Sequence, residues 1–141
     1  MGSSSTSVPE AEAIDESQAV TIARFGEWKR VIGSSLSDEQ LVRCTDPGGN
    51  TLLHVAASSN ELAALEKLLA IPTIQVDAVD KSGHTALGFA SANGHLDSVA
   101  RLLSAHADPN KADVHGHTPI WAARDRGHDA VLALLLQPAA S

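Results

Sequence analysis

Apolar side chains along this chain come in short bursts at helical spacing. Leu62, Leu65, Leu68 and Leu69 lie one, three or four apart, and so do Leu96, Val99, Leu102 and Leu103. Such spacing stacks them on one face of a helix. Each burst follows a shorter helical stretch opened by a threonine, and that stretch follows a polar phrase. The phrase reads Asp-Pro-Gly-Gly-Asn-Thr at 46–51, Asp-Lys-Ser-Gly-His-Thr at 80–85 and Asp-Val-His-Gly-His-Thr at 113–118. Its starts are 34 and then 33 residues apart, a period that marks a stack of small units.

The constant letters of the phrase have a turn-and-cap chemistry. In the best-formed unit, 80–112, the run Asp80-Lys-Ser-Gly83 predicts a tight turn with Gly83 at positive φ. Thr85 predicts an N-cap, its hydroxyl oxygen accepting a backbone N–H of the next helix. A first helix over about 86–92 ends at Asn93-Gly94, and a second runs over about 96–104. Segment 107–112 returns to Asp113 as a loop. The neighbouring units repeat the plan, with first helices over 51–57 and 118–124. Pro119 sits just inside its helix, where a missing N–H does no harm. Asp129, Leu132, Leu135 and Leu136 take the second-helix places in the last unit, and only Asp129 is polar. Helix pairs this short cannot bury their apolar faces alone. Stacking supplies the core, and Ala56, Ala57, Ala90, Ala122 and Ala123 let units approach closely.

Residues before Asp46 follow the plan loosely. Gly26-Glu27 and Val31 match Gly94-His95 and Val99. They predict a first helix within 15–25, capped by Asp15, and a second over 27–32. Trp28 is read as a shield over the first interface, with an exposed contact as its alternative, and 34–46 as a connection whose Leu41 and Val42 pack back on the stack. The expected organisation is a flexible N-terminal leader over 1–13 and one repeat domain over 14–141.

These residues resemble the ankyrin repeat, in which Asp, two variable residues, Gly and one variable residue precede Thr-Pro-Leu-His. Here that phrase stands as Thr51-Leu-Leu-His54, Thr85-Ala-Leu-Gly88 and Thr118-Pro-Ile-Trp121. The later Gly-His appears as Gly94-His95 and Gly127-His128, but as Asn60-Glu61 in the first clear unit. His106 stands where glycine is usual, so positive φ is expected there at some cost. The resemblance covers about 46–137, with a degenerate N-terminal cap before it. It implies an all-α solenoid of stacked antiparallel helix pairs, with turn or β-hairpin-like connections. It also implies protein binding through the concave face. Asn110, in Ala107-Asp108-Pro109-Asn110, matches a place where related repeats are hydroxylated.

Composition narrows the reading. The chain has 141 residues, no tyrosine and 3% aromatics, which favours packed helices over a β-sandwich. A net charge of −7 disfavours nucleic-acid binding and attachment to an acidic membrane. Four acids (Glu10, Glu12, Asp15, Glu16) precede the first base, Arg24, so the body is nearer neutral. One cysteine, Cys44, excludes an internal disulfide, and no apolar run reaches 18 residues. An intracellular setting, cytoplasm or nucleus, is the expectation.

Candidate chemistry is sparse. Seven histidines invite a metal reading, but their spacing fits no compact zinc pattern. The resemblance makes His54, His95 and His128 structural bonds to loop backbone. Arg43 is placed to lower the Cys44 thiol pKa slightly, yet no base accompanies it. No enzyme signature and no cofactor are expected. The working surface is expected at the turn tips and the exposed side of the first helices. Candidate partner-binding residues are Lys81, Ser82, His84, Phe89, Asn93, His115, His117, Asp125 and Arg126. Val55 maps to the same face. Phe89 is a candidate anchor, with partial burial between units as its alternative. His84, His115 and His117 add a possible local pH sensitivity. In the last helix Val131 and Leu134 replace Ser98 and Arg101, giving an apolar run, 130–136, with three accounts open: the tail 137–141 covers it, further repeats follow, or it forms an oligomer or partner contact at the C-terminal end.

Overall fold

The computed structural model describes residues 14–137; the leader expected over 1–13 lies outside them. Nine helices follow in order among the described residues: α1 (Glu16–Arg24), α2 (Trp28–Ile32), α3 (Asp38–Arg43), α4 (Leu52–Ser58), α5 (Leu62–Leu69), α6 (Ala86–Asn93), α7 (Leu96–Ser104), α8 (Pro119–Asp125) and α9 (Asp129–Leu136). No strand occurs among them, only an isolated antiparallel bridge between Thr45 and Thr51. The first helices α1, α4, α6 and α8 pack in sequence as one layer, while α5, α7 and α9 form the other. Leu52, Leu53, Leu65, Leu68, Leu87, Val99 and Leu102 are fully buried between them. Each buried leucine contributes on the order of 1.5–3 kcal/mol, so stacking, rather than any single pair, holds the fold.

The three turns are built alike. One carboxylate oxygen of Asp46 accepts from the Gly48 and Asn50 amides; Asp80 does so from Ser82 and His84, and Asp113 from His115 and His117. Gly49, Gly83 and Gly116 stand at φ +82°, +81° and +80°, where a side chain is strained. Successive tips are joined through backbone: Lys81 N–H donates to the Gly48 carbonyl at 2.9 Å and Val114 N–H to the Ser82 carbonyl at 3.0 Å. Thr51, Thr85 and Thr118 cap α4, α6 and α8 through their hydroxyl oxygens. His106 takes φ +70° as expected, and Asn60 takes +56°. Across the units, His95 and His128 bond to the carbonyls of Ser58 and Ala92, each at 3.0 Å.

The N-terminal end differs from the expectation in one element. Segment 34–46 contains α3, opened by a reciprocal cap between Ser37 and Gln40. Leu41 is buried and Val42 packs against the core. Glu16 holds α3 to α1: its carboxylate accepts from Arg43 Nε at 2.9 Å, Arg43 Nη2 at 2.7 Å and Gln40 Nε2 at 3.0 Å. Those donors, Arg43 foremost, bring the Glu16 carboxyl down to about 2. Trp28 is buried, as a shielding residue should be.

Three apolar assignments in the second helices are corrected; the first is Leu136, set in the place of Leu103, which is 56% exposed at the end of α9. Leu96, placed on the core face by spacing, is 42% exposed, because it opens α7 at the edge of the stack. Val131, read as an oligomer contact, is 2% exposed and belongs to the core. Its counterpart Ser98 is also buried, its hydroxyl donating to Asn60 Oδ1 at 2.7 Å. This register position therefore faces the preceding unit, not solvent. Leu134 is partly buried against the same core.

Candidate functional site

Where α6 meets the third turn and α8, the first-helix layer opens into a groove of about 550 Å³. Of the residues singled out from sequence, His84, Phe89, Asn93, His117, Asp125 and Arg126 line it. Lys81, Ser82 and His115 do not; they sit exposed on the turn tips beside it. Val55, assigned to the same face, is buried in the core. The groove also takes in Gly88, Lys111 and Trp121, which sequence reasoning left out of the site. Trp121 is 42% exposed and stacks on the His117 ring, centroids 3.6 Å apart and planes within 3°.

Phe89 is half-buried, and two rings set its orientation. His54 meets it edge-on at 5.7 Å and His84 lies at 5.1 Å. It is thus both packed between units and open to the groove. Asn93 reaches back to the preceding unit, its Nδ2 donating to the Ser58 carbonyl at 3.1 Å.

The floor of the face is an alternation of carboxylates and imidazoles. His84 stands between two turns, Nδ1 3.4 Å from Asp80 Oδ2 and Nε2 3.2 Å from Asp113 Oδ2. His117 Nδ1 lies 4.0 Å from the same Asp113 oxygen. His115 and His117 are neighbours at 5.9 Å between rings. Burial pushes the Asp113 carboxyl up, but the His117 and His115 amides and the nearby imidazoles outweigh it and hold it below its usual range.

The interface one unit earlier is closed by His54. Thr51 N–H donates to His54 Nδ1 at 3.0 Å, which leaves Nε2 as the protonated nitrogen that donates to the His84 carbonyl at 2.8 Å. The ring is buried, and burial, against the pull of the His84 carbonyl and Asp80, lowers its pKa. A second proton would also take away the acceptor that Thr51 uses.

Other candidate chemistry resolves as structural. Cys44 is buried and its thiol donates to the Gln40 carbonyl at 2.8 Å. The expected lowering by Arg43 is reversed: burial pushes the thiol up to about 11. Among the described residues no group of three or more histidine, cysteine or acidic side chains could hold a metal ion, and no helix is long and apolar enough to cross a membrane.

Sequence outside the groove adds one feature. Phe25, at the C-terminal end of α1, is 80% exposed. The Gly26-Glu27 correspondence puts it in one row with Ser59, Asn93 and Arg126 at the ends of the first helices.

The family model for ankyrin repeats, three copies to the model, matches residues 32–113 and 53–141. Ankyrin repeat domain-containing protein 63 of Homo sapiens is 35% identical over 103 residues, covering 71% of this chain and 27% of that protein. The protein of that name in Mus musculus is 34% identical over 103 residues, covering 71% and 26%. Transient receptor potential cation channel subfamily A member 1 of Homo sapiens is 32% identical over 105 residues, covering 72% of this chain and 9% of the channel. The chain thus spans 27% or less of the length of each of these relatives. Two overlapping matches reach from Ile32 to the last residue, and with the turns and caps found at every repeat they establish that the chain belongs to the ankyrin repeat family.

Proposed function

We propose that this chain is a non-catalytic binding module that holds a protein partner in the groove between α6 and α8. Ankyrin repeats are generally protein-interaction modules, and the observation that carries the finer reading is the make-up of this groove. It combines two large rings, Phe89 and Trp121, with Asp125, Arg126 and Lys111 along one concave surface. Aromatic and arginine side chains dominate binding energy where they are enclosed by a partner. The mixed charges fix register rather than demand one sign of partner. Exposed Lys81, Ser82 and His115 extend the surface along the tips, and Phe25 extends it toward the N-terminal end.

Affinity capture from lysate of the source cells, with the unmodified chain beside a Lys81→Ala/Phe89→Ala/Arg126→Ala variant, tests this. Proteins retained by the first and lost from the second support the groove. Equal retention by both, with the variant's helical circular dichroism unchanged, excludes it.

A second reading, self-association through the C-terminal end, is supported by one observation. Leu136 is 56% exposed on α9, and Ile120 on α8 and Leu132 on α9 are only partly buried. The contact would run through these residues and Leu134, not Val131. Light scattering over a concentration series decides it, since a strict monomer throughout rules it out.

A further inference from the structure

The α4–α6 and α6–α8 interfaces of the stack differ at the third residue of the first helix. In the first, His54 is the third residue of its helix and completes a reciprocal cap: Thr51 Oγ1 accepts from His54 N–H, and His54 Nδ1 accepts from Thr51 N–H. Its other nitrogen donates to the His84 carbonyl. That carbonyl also accepts the Asp80 amide. In the second interface Gly88 holds the same place. Thr85 Oγ1 still accepts from Gly88 N–H at 3.0 Å, but the reciprocal half of the cap has no side chain to make it. Thr85 is buried, and among the described residues no acceptor meets its N–H. Across the cleft the His117 carbonyl accepts the Asp113 amide alone. A donor and an acceptor therefore face one space, at the positions that an imidazole bridges one unit earlier.

The space itself is open to a ring. A Cβ at Gly88 would meet only the Thr85 hydroxyl, at an ordinary 3.4 Å. The edge-on neighbour of His54 is Phe89, and the residue in that register one unit on is Ala122, so the wall recedes as well. Gly88, Thr85, His117, Pro119 and Ala122 all border the groove.

We propose that the cleft at Gly88 is a subsite for a neutral imidazole, presented as the side chain of a histidine on the protein partner. One ring nitrogen accepts from Thr85 N–H, and the other, carrying its proton, donates to the His117 carbonyl. A buried N–H left without an acceptor is costly, and it gains most from a ligand that satisfies it while using the carbonyl's second lone pair. The chain's own His54 is the template for that ligand. This rests on the groove being the partner-binding surface, but it has its own test.

The probe is 4-methylimidazole, titrated into the full chain at pH 8, where most of the ring is neutral, with amide resonances as the readout. The control is 1-methylimidazole, which accepts a hydrogen bond but has no N–H to donate. The expected result is a saturable shift of the Thr85 amide with the first probe and at least tenfold weaker binding of the second. A Gly88→His variant, whose own ring fills the cleft, shows no such shift. Partners captured on the immobilised chain are released by 4-methylimidazole and held in 1-methylimidazole. Equal binding of the two probes, or no saturable shift at Thr85, overturns the proposal. So does retention of partners in 4-methylimidazole. Should Gly88→His fail to fold, the two probes on the unmodified chain decide alone. If the probes fail while the Lys81/Phe89/Arg126 variant still loses partners, the subsite falls and the groove stands.

Discussion

The second and third full units carry the same turn, cap and helix pair, yet among the described residues only the second is covered on both sides. The residue six places after each capping threonine records the difference. Ala57 and Ser91 at this place are fully buried, whereas Arg124 is exposed. An arginine fits the last unit because nothing among the described residues stacks upon it there. On α9 itself Val131 and Leu135 turn inward and Asp129 faces out, while Leu136 stays exposed.

The largest effect should come from exchanging these two residues. Ser91→Arg would place a charge in the packed interface and is expected to cost about 3–5 kcal/mol, the scale for a buried charge without its partner. Arg124→Ser is expected to stay within about 0.5 kcal/mol, as for other surface changes. Urea unfolding of both variants measures the contrast, and similar midpoints would mean that the end face is covered.

A second pair sharpens the same contrast at the turns. Gly83 and Gly116 share one backbone conformation. A Cβ on Gly83 would lie 2.9 Å from Val114 N and 3.0 Å from Asp113 Cα, both backbone atoms, while one on Gly116 would meet nothing within 4 Å. Gly116→Ala should cost about 1–2 kcal/mol for left-handed backbone alone. Gly83→Ala should add about 1–3 kcal/mol of overpacking. Thermal unfolding of the two variants checks the order, and equal losses would break the comparison.

The smallest effect separates the first interface from the second by pH. His54 has a folded pKa below its ordinary value, so the unfolded chain takes up its proton first. The stability tied to neutral His54 is present above the ordinary histidine range of about 6.5. It is lost as pH falls through that value toward the folded one. His54→Gln keeps a side chain able to complete the reciprocal cap and cannot titrate. The unmodified chain should therefore lose more stability than His54→Gln between pH 7.5 and 5.5 in urea titrations, and parallel losses would refute this.

Much of this was legible in the residues because it is local. Asp, Gly and Thr at fixed offsets specify turn and cap through bonds that span four residues, and the helices followed within a residue or so. α3 was missed because 34–46 has no counterpart in the other units, although Ser37 and Gln40 carry the capping spacing in plain view. Val131 was misplaced because a helix apolar all round does not reveal which side its neighbours cover. In the groove, His84, Phe89 and Arg126 were readable from register. Gly88 and Trp121 were passed over as departures from the repeat, since what a missing side chain opens depends on the unit stacked beside it.

The bonds from Lys81 N–H to the Gly48 carbonyl and from Val114 N–H to the Ser82 carbonyl tie the tips without using a side chain. The tips are therefore held in line whatever letters they carry, provided each glycine and aspartate stays. Lys81, Ser82, Val114 and His115 can be rewritten at little cost to the fold, so the edge of this molecule works as an exchangeable typeface set in a fixed frame.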